Sequence, residues 1–214
     1  MNVTKINYGK VLEAKLKELT EKGQRPSLLL HACCAPCSSY VLEYLSRYFK
    51  ITLLYYNPNI SPREEYDTRA EELLRLAGAM NGVVEGAEDI RVAVADYDPA
   101  PFYELAKGKE ALAEGGARCM DCYRLRLEYT VKAALEGGYD YFCTTLSISP
   151  HKNASALNGI GKELSERYGV PYLYSDFKKN GGYLRSCELS GEYGLYRQDY
   201  CGCEFSKARS QEKN

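Results

Sequence analysis

Tryptophan is missing from this chain of 214 residues, histidine occurs twice and methionine three times. An excess of charge of either sign is missing as well: 28 Lys and Arg stand against 29 Asp and Glu, a net charge of -1. That balance excludes a general electrostatic pull toward nucleic acid, though not a local basic face. No run approaches the roughly 18 apolar residues that span a bilayer, so no membrane association is expected. The opening "MNVTKINYGKVLEAKLKELTEKG" is charged throughout and lacks an apolar leader core, so a cytoplasmic location is expected. Neither G-x-x-x-x-G-K-[ST] nor G-x-G-x-x-G follows the first strand, and chemistry driven by ATP or NAD therefore lacks its usual phosphate loop. Internal repeats and low-complexity linkers are also absent. The length suits one domain with its own core.

What the chain has in quantity is cysteine, with nine residues, and tyrosine, with 20. A cytosolic chain keeps its thiols reduced, so nine cysteines point to metal or redox chemistry rather than to a disulfide framework. Tyrosines beside a basic rim can stack on bases.

Apolar periodicity predicts a helix over 9–22, a buried strand over 28–30, and a helix opening near Pro36, where a first turn tolerates proline. A strand follows at 51–60, ended by Asn57-Pro58, then a helix over 61–80 with Ser61, Pro62 and an acidic first turn. A third strand is expected at 82–90, weak helix after Pro99, helix over 121–138, strand over 139–148 and helix over 152–169. The alternation predicts an α/β fold, a parallel sheet with helices on both faces. Residues 1–26 read as a helical extension and 27–214 as a single α/β domain. Ligands in such folds bind beyond the carboxyl ends of the strands. "HACCAPC" lies beyond the first strand and "TTLSISP" beyond a later one.

Seven cysteines form three groups: Cys33, Cys34 and Cys37; Cys119 and Cys122; Cys201 and Cys203. Each group falls in a turn or at a helix start, where backbone curvature lets sulfurs converge and a helix N-terminus favours thiolate. Cys143 reads as a small buried hydrophobe and Cys187 as incidental. Sulfur-only ligands suit zinc, iron–sulfur clusters or metal-free thiol chemistry. Only one clean Cys-x-x-Cys hook is present, and seven ligands are too many for one zinc. A cluster needs about four thiolates, which leaves three to help hold a second metal.

Other polar residues lie near strand ends: Asn57, Asn59 and Arg69, then Thr144, Thr145, Ser147, Ser149, His151 and Lys152. Lys178, Lys179, Arg185, Arg197, Lys207 and Arg209 flank the last cysteine group, and Arg118, Arg124 and Arg126 the middle one. Together they are candidates for a phosphate-binding rim.

The segments "LLHACCAPC", "YYNPNISPREEYDTR", "RCMDCYRLRL", "FCTTLSISPHKN", "SDFKKNGG" and "YRQDYCGCEFS" together resemble the cobalamin-independent epoxyqueuosine reductase family, from about Leu28 to Ser206. The resemblance implies a fold akin to the adenine-nucleotide alpha-hydrolase (HUP, PP-loop-like) superfamily, with "HACCAPCSS" in the place of the phosphate loop. It implies reduction of the epoxide of epoxyqueuosine at the tRNA wobble position. It also implies a [4Fe-4S] cluster and a second metal ion, expected to be iron, with an external donor such as a ferredoxin or flavodoxin. Cys33, Cys34, Cys119, Cys122, Cys201 and Cys203 are the expected cluster-binding residues, and Cys37 joins them as a metal ligand. Asp121 and Asp176 are the catalytic candidates, with Asp199 a further carboxylate near the cysteines. A second metal can polarise the epoxide oxygen while the cluster delivers electrons. Two alternatives remain open: a PP-loop-like tRNA sulfur-transfer enzyme with a cluster, which measured ATP binding would favour, and a non-enzymatic zinc module.

Overall fold

A computed structural model describes residues 6–87 and 89–211, with side chains through 207. Four strands, β1 (Ser27–His31), β2 (Lys50–Tyr55), β3 (Arg91–Val94) and β4 (Tyr141–Thr144), pair in the order β3-β2-β1-β4, every pair parallel. A parallel bridge from Phe142 to Tyr172 continues the sheet past β4. The helices are α1 (Tyr8–Glu21), α2 (Ala35–Leu45), α3 (Arg63–Met80), α4 (Ala100–Ala106), α5 (Ala117–Glu136), α6 (Ala154–Tyr168), α7 (Gly182–Glu192) and α8 (Glu204–Gln211).

Strand alternation divides the core in two. Leu28 and Leu30 of β1 pack with α1, α2 and α3 on one face, through Leu12, Leu16, Val41, Leu42, Leu73 and Leu76. Leu29 faces the other way, onto Leu127 and Val131 of α5 and Leu157 and Leu164 of α6. This is the doubly wound arrangement. Its switch point, where successive crossovers change face, lies between β1 and β4, and that is where such sheets open a crevice.

α1 starts at Asn7, whose side chain accepts from the Lys10 N–H at 3.2 Å. Its Leu12, Leu16 and Leu19 are at most 3% exposed and belong to the main core. Leu16→Ala is therefore expected to cost about 2–5 kcal/mol, the usual range for a buried leucine. Urea unfolding measures it, and a loss under about 0.5 kcal/mol would mark α1 as a dispensable surface element.

Two local expectations need correction. Residues 82–90 are not the third strand. Val83 is 73% exposed, and Gly82 and Gly86 take φ of 73° and 79°, which turns the chain before β3 begins at Arg91. A Cβ on Gly86 would lie 2.6 Å from the Ser46 carbonyl oxygen, so this turn packs against the end of α2 as only glycine allows. The second correction is α7, where no element was expected. Its buried residues are Gly182, Ser186, Leu189 and Ser190, so a single leucine among small residues gives it little helical hydrophobic signal.

Candidate metal centre

The switch-point crevice is a cleft of about 610 Å³ lined by Cys33, Cys37, Arg69, Arg126, Lys152 and Cys201, among others. β1 delivers the first cysteine group. His31 ends the strand fully buried, its Nε2 at 3.2 Å from the Tyr56 carbonyl oxygen and its Nδ1 at 2.9 Å from the Thr144 hydroxyl. A carbonyl only accepts, so Nε2 carries the proton and the Thr144 hydroxyl donates to Nδ1. Burial and the Arg126 charge push His31 down to about 4, so the ring is neutral at pH 7.

Cys34 is the N-cap residue of α2, extended at φ -172° and ψ 164°. The sulfurs of Cys33, Cys34 and Cys37 lie within 4.8 Å of one another, with 3.7 Å between Cys33 and Cys34. Among the described residues this is the one set of three potential ligands that close together. The Cys33 and Cys37 thiols donate toward Cys34 and, with Arg69 nearby, hold it well below the usual thiol range. Cys33 is pushed up to about 11 by Cys34, and Cys37 is raised by both neighbours. Within the triad, Cys34 is therefore the thiol whose ionised form its neighbours favour most.

The other two groups meet across the sequence. Cys119 and Cys122 lie in the first two turns of α5, and Cys203 immediately precedes α8. Cys122 and Cys203 pack with Phe102, and Cys119 accepts from the Gly115 N–H at 3.2 Å. Burial raises Cys122, which also feels the charges of Cys201 and Cys119; burial and Cys201 push Cys203 up to about 12. Cys201 accepts from Lys152 Nζ at 2.9 Å, and Lys152 also pairs with Glu114 at 3.2 Å. Cys33, Cys34 and Cys37 are therefore the tight set, and of the other four Cys122 and Cys203 share one cluster.

The loop carrying Cys201 and Cys203 is pinned by α3. Arg69, paired with Glu65 at 2.7 Å, donates toward the Cys201 and Tyr200 carbonyls at 3.4 and 3.5 Å, and Ser61 N–H reaches the Gly202 carbonyl at 2.9 Å. Gly202 sits at φ 115°, and a Cβ there would meet Ile60 at 2.8 Å. Gly202→Ala is expected to lift this loop and expose Cys203, which is 7% exposed. Thiol alkylation followed by peptide mass spectrometry should show Cys203 modified at least about tenfold faster, the effect of roughly 1.4 kcal/mol of lost closure; an unchanged rate would show that the loop absorbs the strain.

Of the cations expected to form a rim, Lys179, Arg197 and Lys207 are exposed, whereas others are buried or paired. Arg118 and Arg126 are at most 2% exposed. Arg118 donates to the Lys109 and Glu110 carbonyls and lies over the Phe205 ring at 4.4 Å. Arg124 pairs with Glu163, and Arg185 with Glu43, Glu188 and Glu192. Lys178 donates to the Lys152 carbonyl at 3.1 Å, and Lys207 lies over the Tyr200 ring at 5.6 Å. Arg197 is exposed and lines the cleft. The Arg209 side chain lies outside the described residues. Asp199 and His151 also line the cleft. Asp121 pairs with Lys109 at 2.6 Å and is 40% exposed. Asp176 lies by Lys178 and lines a separate cavity of about 150 Å³ with Lys179 and residues of α1. Neither carboxylate lines the switch-point cleft.

Arg126 is the residue whose part sequence reasoning missed. The signal was present: Cys119, Cys122 and Arg126 at i, i+3 and i+7 share one stripe of α5. Arg69, Arg126 and Lys152 bring three buried cations to one cleft, while the carboxylates pairing with them are Glu65 and Glu114. Buried cations in excess of carboxylates suit thiolates and an anionic sulfur-bound metal group.

Fold and cleft together define a doubly wound α/β protein with a cysteine-lined cleft at its switch point, where Cys33, Cys34 and Cys37 lie close enough to hold a metal ion. The family model described as "Epoxyqueuosine reductase QueH" matches residues 28–209. Proteins of that name are 44% identical in Staphylococcus epidermidis, over 96% of this chain and 87% of that protein, and 43% in Streptococcus pyogenes, over 94% and 78%. The protein of that name from Thermotoga maritima is 36% identical over 88% of this chain and 94% of its own length. The chain belongs to the epoxyqueuosine reductase QueH family.

Proposed function

We propose that this chain reduces epoxyqueuosine to queuosine at the wobble position of tRNA, using thiolate-bound iron. The observation that carries the reading is the close set of Cys33, Cys34 and Cys37 at a switch-point cleft that Cys201 also lines, with Cys122 and Cys203 packed together nearby. The 3.7 Å between the Cys33 and Cys34 sulfurs is close to the about 3.8 Å separating two thiolates on one tetrahedral ion with bonds of about 2.3 Å. Cys33, Cys34 and Cys37 are accordingly assigned to a second metal ion, iron. Cys119, Cys122, Cys201 and Cys203, more widely spaced, are assigned to a [4Fe-4S] cluster.

Deoxygenation consumes two electrons and two protons, forms a carbon–carbon double bond and releases the epoxide oxygen as water. The bound group, when present, supplies the electrons and a Lewis-acidic position. The chain's own residues do the rest. Lys152 balances the Cys201 thiolate. Arg69 and Asn57 fix the loops on either side of the cleft. Arg197, exposed at its edge, suits a tRNA phosphate. An external donor of the ferredoxin or flavodoxin type delivers electrons. The catalytic unit is the single domain 27–214, with 1–26 as an extension whose α1 completes one face of the core. Among the described residues no helix is long and apolar enough to cross a membrane.

Anaerobic reconstitution followed by iron and sulfide analysis, and an assay on tRNA carrying epoxyqueuosine, test the reading together. At least about four irons per chain and appearance of queuosine are expected. Stoichiometric zinc with no iron would end it.

A further inference from the structure

Arg126 is 1% exposed and lines the cleft one helical turn beyond Cys122. Its Nε donates to the Cys122 carbonyl and its Nη1 to Asn57 Oδ1, each at 3.3 Å. Asn57 in turn donates from Nδ2 to the Ala32 carbonyl at 2.9 Å, one residue before Cys33. The guanidinium is thus tied to the backbone beside two cysteine groups. Its Nη2 is buried and meets no acceptor among the described residues, and no carboxylate there pairs with the side chain. Burial works against its charge, and the sulfurs that outweigh burial are Cys122, Cys201 and Cys33, one from each group. Such a cation, held rigidly and left one donor short, is costly unless an anion completes it.

We propose that Arg126 is a positioning residue for the metal–sulfur group: its Nη2 donates a hydrogen bond to a sulfur of that group, and its fixed charge raises the group's reduction potential. The proposal rests on the iron–sulfur reading above. Reduction adds negative charge to the group, so a neighbouring cation and an N–H···S hydrogen bond both favour the reduced form. Burial keeps the guanidinium from reaching a tRNA phosphate at the surface, so its charge acts inward.

The test compares wild type with Arg126→Met, which keeps length without charge, and Arg126→Lys, which keeps charge without the planar fork. Three quantities are read: iron per chain after anaerobic reconstitution, midpoint potential by EPR-monitored reductive titration, and Tm of the metal-free and loaded proteins. Arg126→Met is expected to leave the metal-free Tm equal or higher, because an unpaired buried charge has gone, and to lower the loaded Tm. Its potential should shift negative, with Arg126→Lys between it and wild type. Should Arg126→Met hold too little iron to titrate, an undiminished metal-free Tm together with iron-loaded Arg126→Lys at a lowered potential supports the same conclusion. A Met variant with the wild-type potential, or one that loses equal Tm in both forms, overturns the proposal and leaves the iron reading standing. Wild type that takes up no iron under the same conditions overturns both.

Discussion

Cys119→Ala and Cys122→Ala are each expected to strip iron from the reconstituted protein and abolish turnover, with the far-ultraviolet dichroism unchanged. Both residues sit in the first two turns of α5, where alanine is the best helix former, so the helix survives while a proposed ligand is lost. Loss of a direct ligand should exceed the roughly 10–100-fold that outer-shell substitutions cost. Cys143→Ala and Cys187→Ala serve as controls that keep iron and activity. Cys143 is fully buried and donates to the Leu173 carbonyl at 3.1 Å, so its loss costs stability, about 1 kcal/mol. Cys187 lies on α7, partly exposed. An iron-replete Cys122→Ala protein, or an iron-free Cys187→Ala protein, would show that the thiols have been sorted wrongly.

Lys152→Met is expected to lower kcat/KM by about 10–100-fold, the cost of losing an outer-shell partner of a proposed metal ligand. The ammonium is 8% exposed and lies 2.9 Å from the Cys201 sulfur. The ammonium donates to the sulfur, so its removal takes away a hydrogen bond that orients the Cys201 side chain. Glu114, the other partner, is 38% exposed and stays hydrated, so the loss falls on Cys201. Buried pairs are poorly screened, so the deficit should persist at high salt. Steady-state kinetics at low and high ionic strength measure it. A variant within threefold of wild type, or a deficit that vanishes in salt, would assign Lys152 to the surface field instead.

The α/β class was legible because Leu28 to Leu30, the aromatic and branched run of β2 and the periodic stripes of α3, α5 and α6 each state their period locally. β3 was misplaced by one segment because two valines in 82–90 look like a strand, while Gly82 and Gly86 bend the backbone into a turn. α7 escaped notice because its buried face is glycine and serine apart from Leu189, and one leucine makes no apolar stripe. The first part of the candidate site was legible in the same way, since Cys33, Cys34 and Cys37, within five positions at a helix start, are the set that the fold keeps close together.

Which thiols stand together, and which cations serve them, was decided only by the tertiary structure. Parallel pairing of β1 with β4 brings Thr144 beside His31. Arg69 and the Ser61–Gly202 contact then fold the last cysteine group onto the end of α3. Arg126 reads as one more surface cation until α5 packs on β1 and turns it inward to 1% exposure, with Asn57 as its support. Local propensity and ligand softness belong to single residues and short windows, so they can be read along the chain. The charge a buried group must balance depends on neighbours that loop closure and packing bring from far along the sequence, and only the folded chain specifies them.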